Sequence, residues 1–266
     1  MNSRLLIAFA PLVVGACQPG SDSQGLAPEW TEPETGMAFV LIPGGKFEMG
    51  LRTPDDLRPA PLHQVEGISP FYLGRFEVTQ REWRQVMGAD PSQYADCDGC
   101  PVESVSWHDA QLFIEALSRL SPNESYRLPT ESEWEYACRA ESDGRYGSVD
   151  TLTPDLANFD PRIPFEGRTD STWVGHPVEV GSYPASPLGL HDMSGNVWEW
   201  TEDEYCPYPT RAMGSVPVRC GTDTIAIRGG SWYFSANAAR CGRRYTHARS
   251  DSGFSLGFRL VRELPQ

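Results

Sequence analysis

What this 266-residue chain lacks closes off whole classes of function. It has no surplus of positive charge. Its 22 Lys and Arg stand against 36 Asp and Glu, a net charge of −14, which argues against nucleic acid and anionic membrane surfaces as partners. It contains no HExxH zinc helix, no GxSxG elbow and no GxxxxGK[ST] phosphate loop, and "PGGKF" does not qualify as one. No internal repeat or low-complexity tract follows the first 35 residues. No apolar run is long enough to cross a bilayer; Leu5 to Val14, interrupted by Pro11, stops short.

What is present begins with export. Arg4 followed by the short apolar run reads as a secretory signal over residues 1–17. Val14-Gly15-Ala16-Cys17 resembles a bacterial lipobox, which implies cleavage before Cys17 and acylation of its thiol. Gln18 after it points to the outer membrane or surface of a bacterial cell envelope, with the lipid anchor as the sole membrane contact. Residues 18–35, rich in Pro, Gly, Ser and acids, read as a flexible tether. Residues 36–266 then suffice for one domain, and 39% hydrophobic and 11% aromatic residues supply a substantial core.

Six cysteines remain: Cys97, Cys100, Cys138, Cys206, Cys220 and Cys241. An even number in an exported chain suggests disulfides before free thiols, though counting leaves about 15 pairings open. Residues 37–50 read as two short strands around a Pro-Gly-Gly turn, and residues 63–79 as further strands. Thr79 with Glu82 marks a helix start by capping box, with Trp83 and Met87 on one face. A second helix starts at Ser106 and carries Ala110, Phe113, Ile114 and Leu117 at core spacing. Thr130 with Glu133 opens a third, with Trp134, Ala137 and Cys138 inward. After residue 140 regular patterning largely stops, leaving short strand-like pieces at 178–183, 225–228 and 256–262. The expected class is α+β with little regular secondary structure, and loops that long are usually functional or held by metals and crosslinks.

Five segments, in order, then carry a resemblance: "GGKFEMG" with "FEVTQREW", "PVESVSWHDA", "RLPTESEWEYACRA", "GLHDMSGNVWEWTED", and "RGGSW" leading to "RCGRR" and "LGFRLV". Together they resemble the sulfatase-modifying-factor family, whose founding activity is the formylglycine-generating enzyme. The resemblance implies a variant of the C-type lectin fold. It also implies oxidation of a client cysteine with O2 and copper(I), a soft ion suited to two thiolates just after the Gly-Gly-Ser turn. Here "SWYFSANAAR" (231–240) contains no cysteine: the first ligand position falls on Phe234 and the second near Ala236 or Ala239. Copper is therefore not expected. The resemblance pairs Cys241 with Cys138, closing a loop of about 100 residues. Cys97 is expected to pair with Cys100, and Cys206 with Cys220.

The resemblance further implies calcium, a hard ion suited to oxygen ligands. One set comprises Asp192, the Gly195 and Val197 carbonyls and the Glu199 carboxylate, which an extended 195–199 turns the same way. A second set comprises Asn158, the Phe159 carbonyl, Asp170 and the Thr172 carbonyl. Trp198 and Ser231 resemble residues lining the family's groove, where Trp232, Tyr233 and Phe234 also fall, and one of Trp198 and Trp200 is expected in the core. Arg228 and Arg259 are expected in structural ion pairs.

The leading expectation is a calcium-stabilised module binding a protein or small molecule in that groove, without copper chemistry. A cysteine-independent oxidoreductase is the first alternative, since the family includes such a periplasmic member, of pyoverdine maturation. Formylglycine generation comes third. The C-terminal segment is also reminiscent of retroelement-diversified binding proteins, with Tyr233, Phe234, Ser235, Tyr245 and His247 as display positions.

Overall fold

The structure, a computed structural model, describes residues 27–51, 60–140, 142–208 and 212–264. The export signal, Cys17 and residues 18–26 of the expected tether lie outside the described residues. Among those described, no helix is long and apolar enough to cross a membrane.

In chain order the elements are β1 (Glu29–Thr31), β2 (Ala38–Ile42), β3 (Gly45–Met49), β4 (His63–Ile68), β5 (Phe71–Gly74), α1 (Gln80–Met87), α2 (Trp107–Leu120) and β6 (Tyr126–Arg127). There follow α3 (Glu131–Arg139), β7 (Trp198–Glu204), β8 (Ala212–Met213), β9 (Thr224–Arg228), β10 (Tyr245–Ala248), β11 (Leu256–Gly257) and β12 (Val261–Arg262). The strands form three small sheets, ordered β1-β2-β5-β12-β6, β10-β9-β7-β11 and β3-β4-β8. The class is α+β, as the sequence indicated, with long irregular connections between short elements.

Each helix starts where a side chain can cap it. Thr79 with Glu82, Ser106 with Asp109 and Thr130 with Glu133 all form complete capping boxes. α2 buries Ala110, Phe113, Ile114 and Leu117, and Trp83 from α1 stacks on Phe113 at 5.3 Å with Phe258 edge-on to both rings. This apolar core joins α1 and α2 to the first two sheets, and both Trp198 and Trp200 lie within it.

α3 is different: it is buried on almost every face, with Glu131, Glu133 and Glu135 enclosed beside Trp134, Ala137 and Cys138. A helix this acidic can be enclosed because arginines from distant segments meet it. Arg228 donates to Glu131 and Glu135, each at 3.0 Å, and Arg244 donates to Glu131 at 2.5 Å. Arg139 and Arg127 pair with Glu135 and Glu133 at 2.7 and 2.6 Å.

Three expectations are corrected. Residues 27–35 belong to the domain and not to a tether. β1 pairs with β2, and Trp30 packs on Phe39 and Tyr126 at 5.5 and 6.4 Å, which gives this short strand an apolar reason to dock. Residues 178–183 form no strand; their backbone is stitched by turns and by the Asn196 side chain instead. Residues 256–262 are not continuous either: β11 and β12 belong to different sheets, with Phe258 and Arg259 buried between them.

Disulfides join Cys97 to Cys100, Cys138 to Cys241 and Cys206 to Cys220, the three expected pairs. Cys138–Cys241 spans 103 positions and fastens α3 to the segment that follows the Gly-Gly-Ser turn.

Candidate functional site

Two glycines let three distant stretches meet. Gly230 has φ +74°, and a Cβ there would lie 2.7 Å from Ala239 Cα. Gly195 has φ +100°, and its Cβ would fall 2.2 Å from the Asn158 carbonyl oxygen. Backbone contacts this close, at positive φ, admit only glycine. The Gly195 N–H donates to Gly229 O at 2.8 Å and the Trp232 N–H to Asn196 O at 2.9 Å. The Asn196 N–H donates to Asn158 O and the Asp160 N–H to Phe234 O, both at 2.8 Å. Residues 158–160, 195–196 and 229–234 therefore form one unit.

An aromatic face stands on that unit. Trp232 contacts Tyr94, Trp173, Tyr233 and Phe254 with ring centroids 5.3 to 5.8 Å apart. Phe234 bridges Tyr233 to Trp198, which packs on Tyr245 at 4.8 Å. Of the five residues expected to line a groove, Trp198, Ser231 and Trp232 are buried, Phe234 is half-buried and Tyr233 is 48% exposed. The accessible part of the face is Tyr233 together with Trp173 and Arg162. The Arg162 guanidinium lies 3.4 Å from the Trp173 ring centre and is held by two 2.9 Å bonds to Asp160. Sequence reading missed Trp173, Phe254 and Tyr94. Trp173 was the most findable, as a lone tryptophan within a polar loop.

Behind this face, a cleft of about 420 Å³ opens between loop 150–154, the turn 163–170 and Ala236, with Tyr146, Phe159 and Phe165 supplying its aromatic walls. The thiolate positions implied by the resemblance carry only hydrocarbon: Phe234, Ala236 and Ala239, the last fully buried. Cys241 is closed in its disulfide, so all six cysteines among the described residues are paired. Glu204, Cys206 and Cys220 cluster closely, but the two sulfurs are bonded to one another, while Glu204 accepts three backbone N–H groups and Arg249.

The two oxygen-ligand sets fare differently. In the first, the Glu199 carboxylate is already engaged: Arg259 Nη2 and Nε reach Oε1 and Oε2 at 2.7 Å each, and Trp134 Nε1 reaches Oε2 at 2.7 Å. Three donors thus share the Glu199 carboxylate, two on Oε2 and one on Oε1, which leaves a lone-pair position on Oε1. Asp192 is buried, has φ +58°, and accepts the Gly181 N–H through Oδ2 at 2.7 Å. Facing Asp192 and Glu199 is a third carboxylate that sequence reading missed, Glu77 in the link between β5 and α1. Burial first, and Asp192 second, push the Glu77 carboxyl well above the usual carboxylate range; burial raises Asp192 as well. Asn196 Nδ2 donates to Glu77 Oε1 at 3.2 Å, whereas Oε2 is buried without a partner.

In the second set, Asn158 is buried and its Nδ2 donates to His176 O and Asn196 Oδ1 at 3.0 and 3.3 Å, leaving Oδ1 without a donor. Asp170 is exposed, and its backbone N–H bonds Pro161 O, which brings it back beside the 158–161 segment. Its Oδ1 accepts the Thr172 N–H at 2.7 Å and the Thr172 hydroxyl. An unsatisfied buried amide oxygen and a carboxylate on the neighbouring segment are hard oxygen donors, the type that suits calcium.

Three short helices, three small sheets, crosslinked loops and an aromatic face on a Gly-Gly-Ser turn define a C-type-lectin-like α+β domain. The chain belongs to the family of the sulfatase-modifying factor enzyme 1-like domain, whose sequence model matches residues 24–264. It is 34% identical over 195 residues to a formylglycine-generating enzyme of Mycobacterium tuberculosis, covering 67% of this chain and 62% of that enzyme. PvdO from Pseudomonas aeruginosa superposes with a TM-score of 0.74 at 27% identity, covering 94% of this chain and all of that one. Treponema denticola variable protein 1 superposes with a TM-score of 0.78 over 89% of this chain and 98% of its own; at 24% identity this likeness shows the fold alone.

Proposed function

We propose that the domain is a calcium-stabilised binding module that presents its ligand face around Tyr233 and operates without copper oxidase chemistry. The observation that carries this reading is the segment after the Gly-Gly-Ser turn. It offers Phe234, Ala236 and Ala239 where the family's thiolates would stand, and its single cysteine is crosslinked to Cys138. A soft ion finds no soft ligand there. An accessible Tyr233 ring, with the stacked Trp173–Arg162 pair also reaching solvent on the same face, suits a protein or small-molecule ligand with a planar or apolar group. Calcium at Asn158, the Phe159 carbonyl, Asp170 and the Thr172 carbonyl would hold the loop beside that face. Acylation at Cys17 would place the module on the bacterial envelope.

The test uses protein secreted from Gln18 onward. Titration with copper(I) against a chromogenic chelator is expected to show no bound metal, and O2 consumption with a cysteine-containing peptide is expected to stay at background. Stoichiometric copper(I), or peptide-dependent O2 uptake, would overturn the reading. The cleft behind Ala236 favours one second reading, a cysteine-independent oxidoreductase acting on a small molecule, because its volume suits such a substrate. O2 uptake that survives replacement of every cysteine would select it.

A further inference from the structure

The smallest of the three apolar clusters among the described residues is also the one left open. Tyr146, Phe159, Ala236 and Ala239 pack there with Leu152 and Phe165, apart from the two larger cores. The cleft of about 420 Å³ is cut into this cluster, and its volume falls in the range of small-molecule sites. Its floor is fixed: Tyr146 and Phe159 are buried, and the Tyr146 hydroxyl donates to Ala236 O at 3.0 Å.

Two walls rise from that floor, and one arginine ties both. On one side residues 161–170 fold as a hairpin. The Asp170 N–H donates to Pro161 O at 2.9 Å, and Phe165 and Arg168 exchange N–H to carbonyl bonds of 3.2 and 3.0 Å. Glu166 and Gly167 at the tip have φ +52° and +73°, the two-residue turn whose twist suits a tight hairpin. The other wall is loop 150–154. The Arg145 guanidinium reaches Glu166 Oε1 at 2.5 Å, and its backbone N–H reaches Asp150 Oδ1 at 3.2 Å. The Arg145 carbonyl accepts the Cys241 N–H at 2.8 Å, so this tie is anchored beside the long disulfide.

The mouth carries charge of both signs. Glu166 is answered by Arg145, and Asp170 accepts the N–H and hydroxyl of Thr172. One carboxylate and one guanidinium then remain, on opposite walls. Asp150 Oδ2 has no hydrogen bond among the described residues, and neither has the Arg168 guanidinium.

We propose that the cleft binds a small zwitterion with a flat apolar side chain, the chemistry of an aromatic α-amino acid. The rings of the floor take the side chain, Asp150 takes the ammonium, and Arg168 takes the carboxylate, whose geometry its planar fork matches. This site goes beyond the ligand face around Tyr233 and needs neither a metal nor turnover.

The secreted protein is titrated calorimetrically with L-tryptophan, with tryptamine, which lacks the carboxylate, and with indole-3-propionate, which lacks the ammonium. Melting is followed in parallel. Tryptophan is expected to bind saturably, and each analogue at least about fivefold more weakly. Asp150→Asn is expected to erase only the preference over indole-3-propionate, and Arg168→Gln only the preference over tryptamine, both with melting unchanged. Ala236→Leu, which fills the cleft, is expected to abolish binding of all three. Phe165→Ala, which removes a wall, serves the same end should Ala236→Leu fail to fold. Tyr233→Ala is expected to bind tryptophan as the wild type does. A folded wild type that does not bind tryptophan overturns the proposal, as does equal binding of the analogues or binding that survives loss of the wall. Binding lost in Tyr233→Ala would move tryptophan to the aromatic face and overturn it too. None of these results bears on the copper and O2 measurements above, so the two readings fail separately.

Discussion

Two buried sets of charge lie on either side of Trp134, and they are built on opposite plans. Around α3, Arg228 and Arg244 face Glu131 and Glu135 in equal number, and every group named has a partner at hydrogen-bond distance. Beneath the Gly195 turn, Glu77, Asp192 and Glu199 face Arg259, and one carboxylate oxygen has no partner. The first set is complete within the chain and serves to enclose a helix. The second is short of positive charge, and its burial is not offset within the chain.

The strongest way to break this contrast is to remove the arginines. Arg259→Met leaves three buried carboxylates without their guanidinium and is expected to cost at least about 3–5 kcal/mol. Arg228→Met leaves Glu131 with Arg244 and Glu135 with Arg139, and is expected near the lower end of that range. Calorimetry in EGTA would decide; a larger loss for Arg228→Met would end the contrast. Next in size, replacing Cys138 and Cys241 together by Ser is expected to cost about 2–5 kcal/mol, read from urea midpoints.

A smaller effect concerns pH. Asp203 accepts the Glu131 and Val218 N–H groups at 2.7 and 2.6 Å, yet burial, with Glu131 second, pushes its carboxyl up to about 7. Arg219 opposes this from the solvent side. Since an unfolded Asp titrates near about 3.9, the folded state holds a proton between there and about 7 that the unfolded chain gives up. Stability from this group therefore falls as pH rises through that window. Asp203→Asn is expected to flatten the melting temperature over the same range, and an unchanged slope would refute the assignment. Smallest for stability is Tyr233→Ala, within about 0.5 kcal/mol because the ring is half exposed. Loss of ligand capture with melting unchanged would place binding on the aromatic face.

The helices were readable in the sequence because a capping box and a helical stripe are local: Thr79 with Glu82, and Ala110 to Leu117, declare themselves within a few residues. The disulfide from Cys138 to Cys241 was readable only through resemblance, since spacing says nothing about partners that far apart. Glu77 was not readable. In "RFEVTQ" it looks like the polar member of an alternating strand, and it becomes a buried carboxylate because residues 192–199 fold back over it. The same long-range packing hid Trp30, whose ring found Phe39 and Tyr126 within a stretch composed like a linker. Tyr233 was expected in a groove and is the exposed one of its five, because Trp232 and Trp198 turn inward to support it.

The edge of the first sheet has a mechanical consequence. β1 is three residues long and pairs with β2 alone, while Tyr72 grips the Ala27 carbonyl and the Arg262 guanidinium lies 4.2 Å above the Trp30 ring. Force entering through the preceding chain would load these few contacts first and could peel β1 away like a tab. The aromatic face, several elements further in, would stay folded while that tab absorbed the pull.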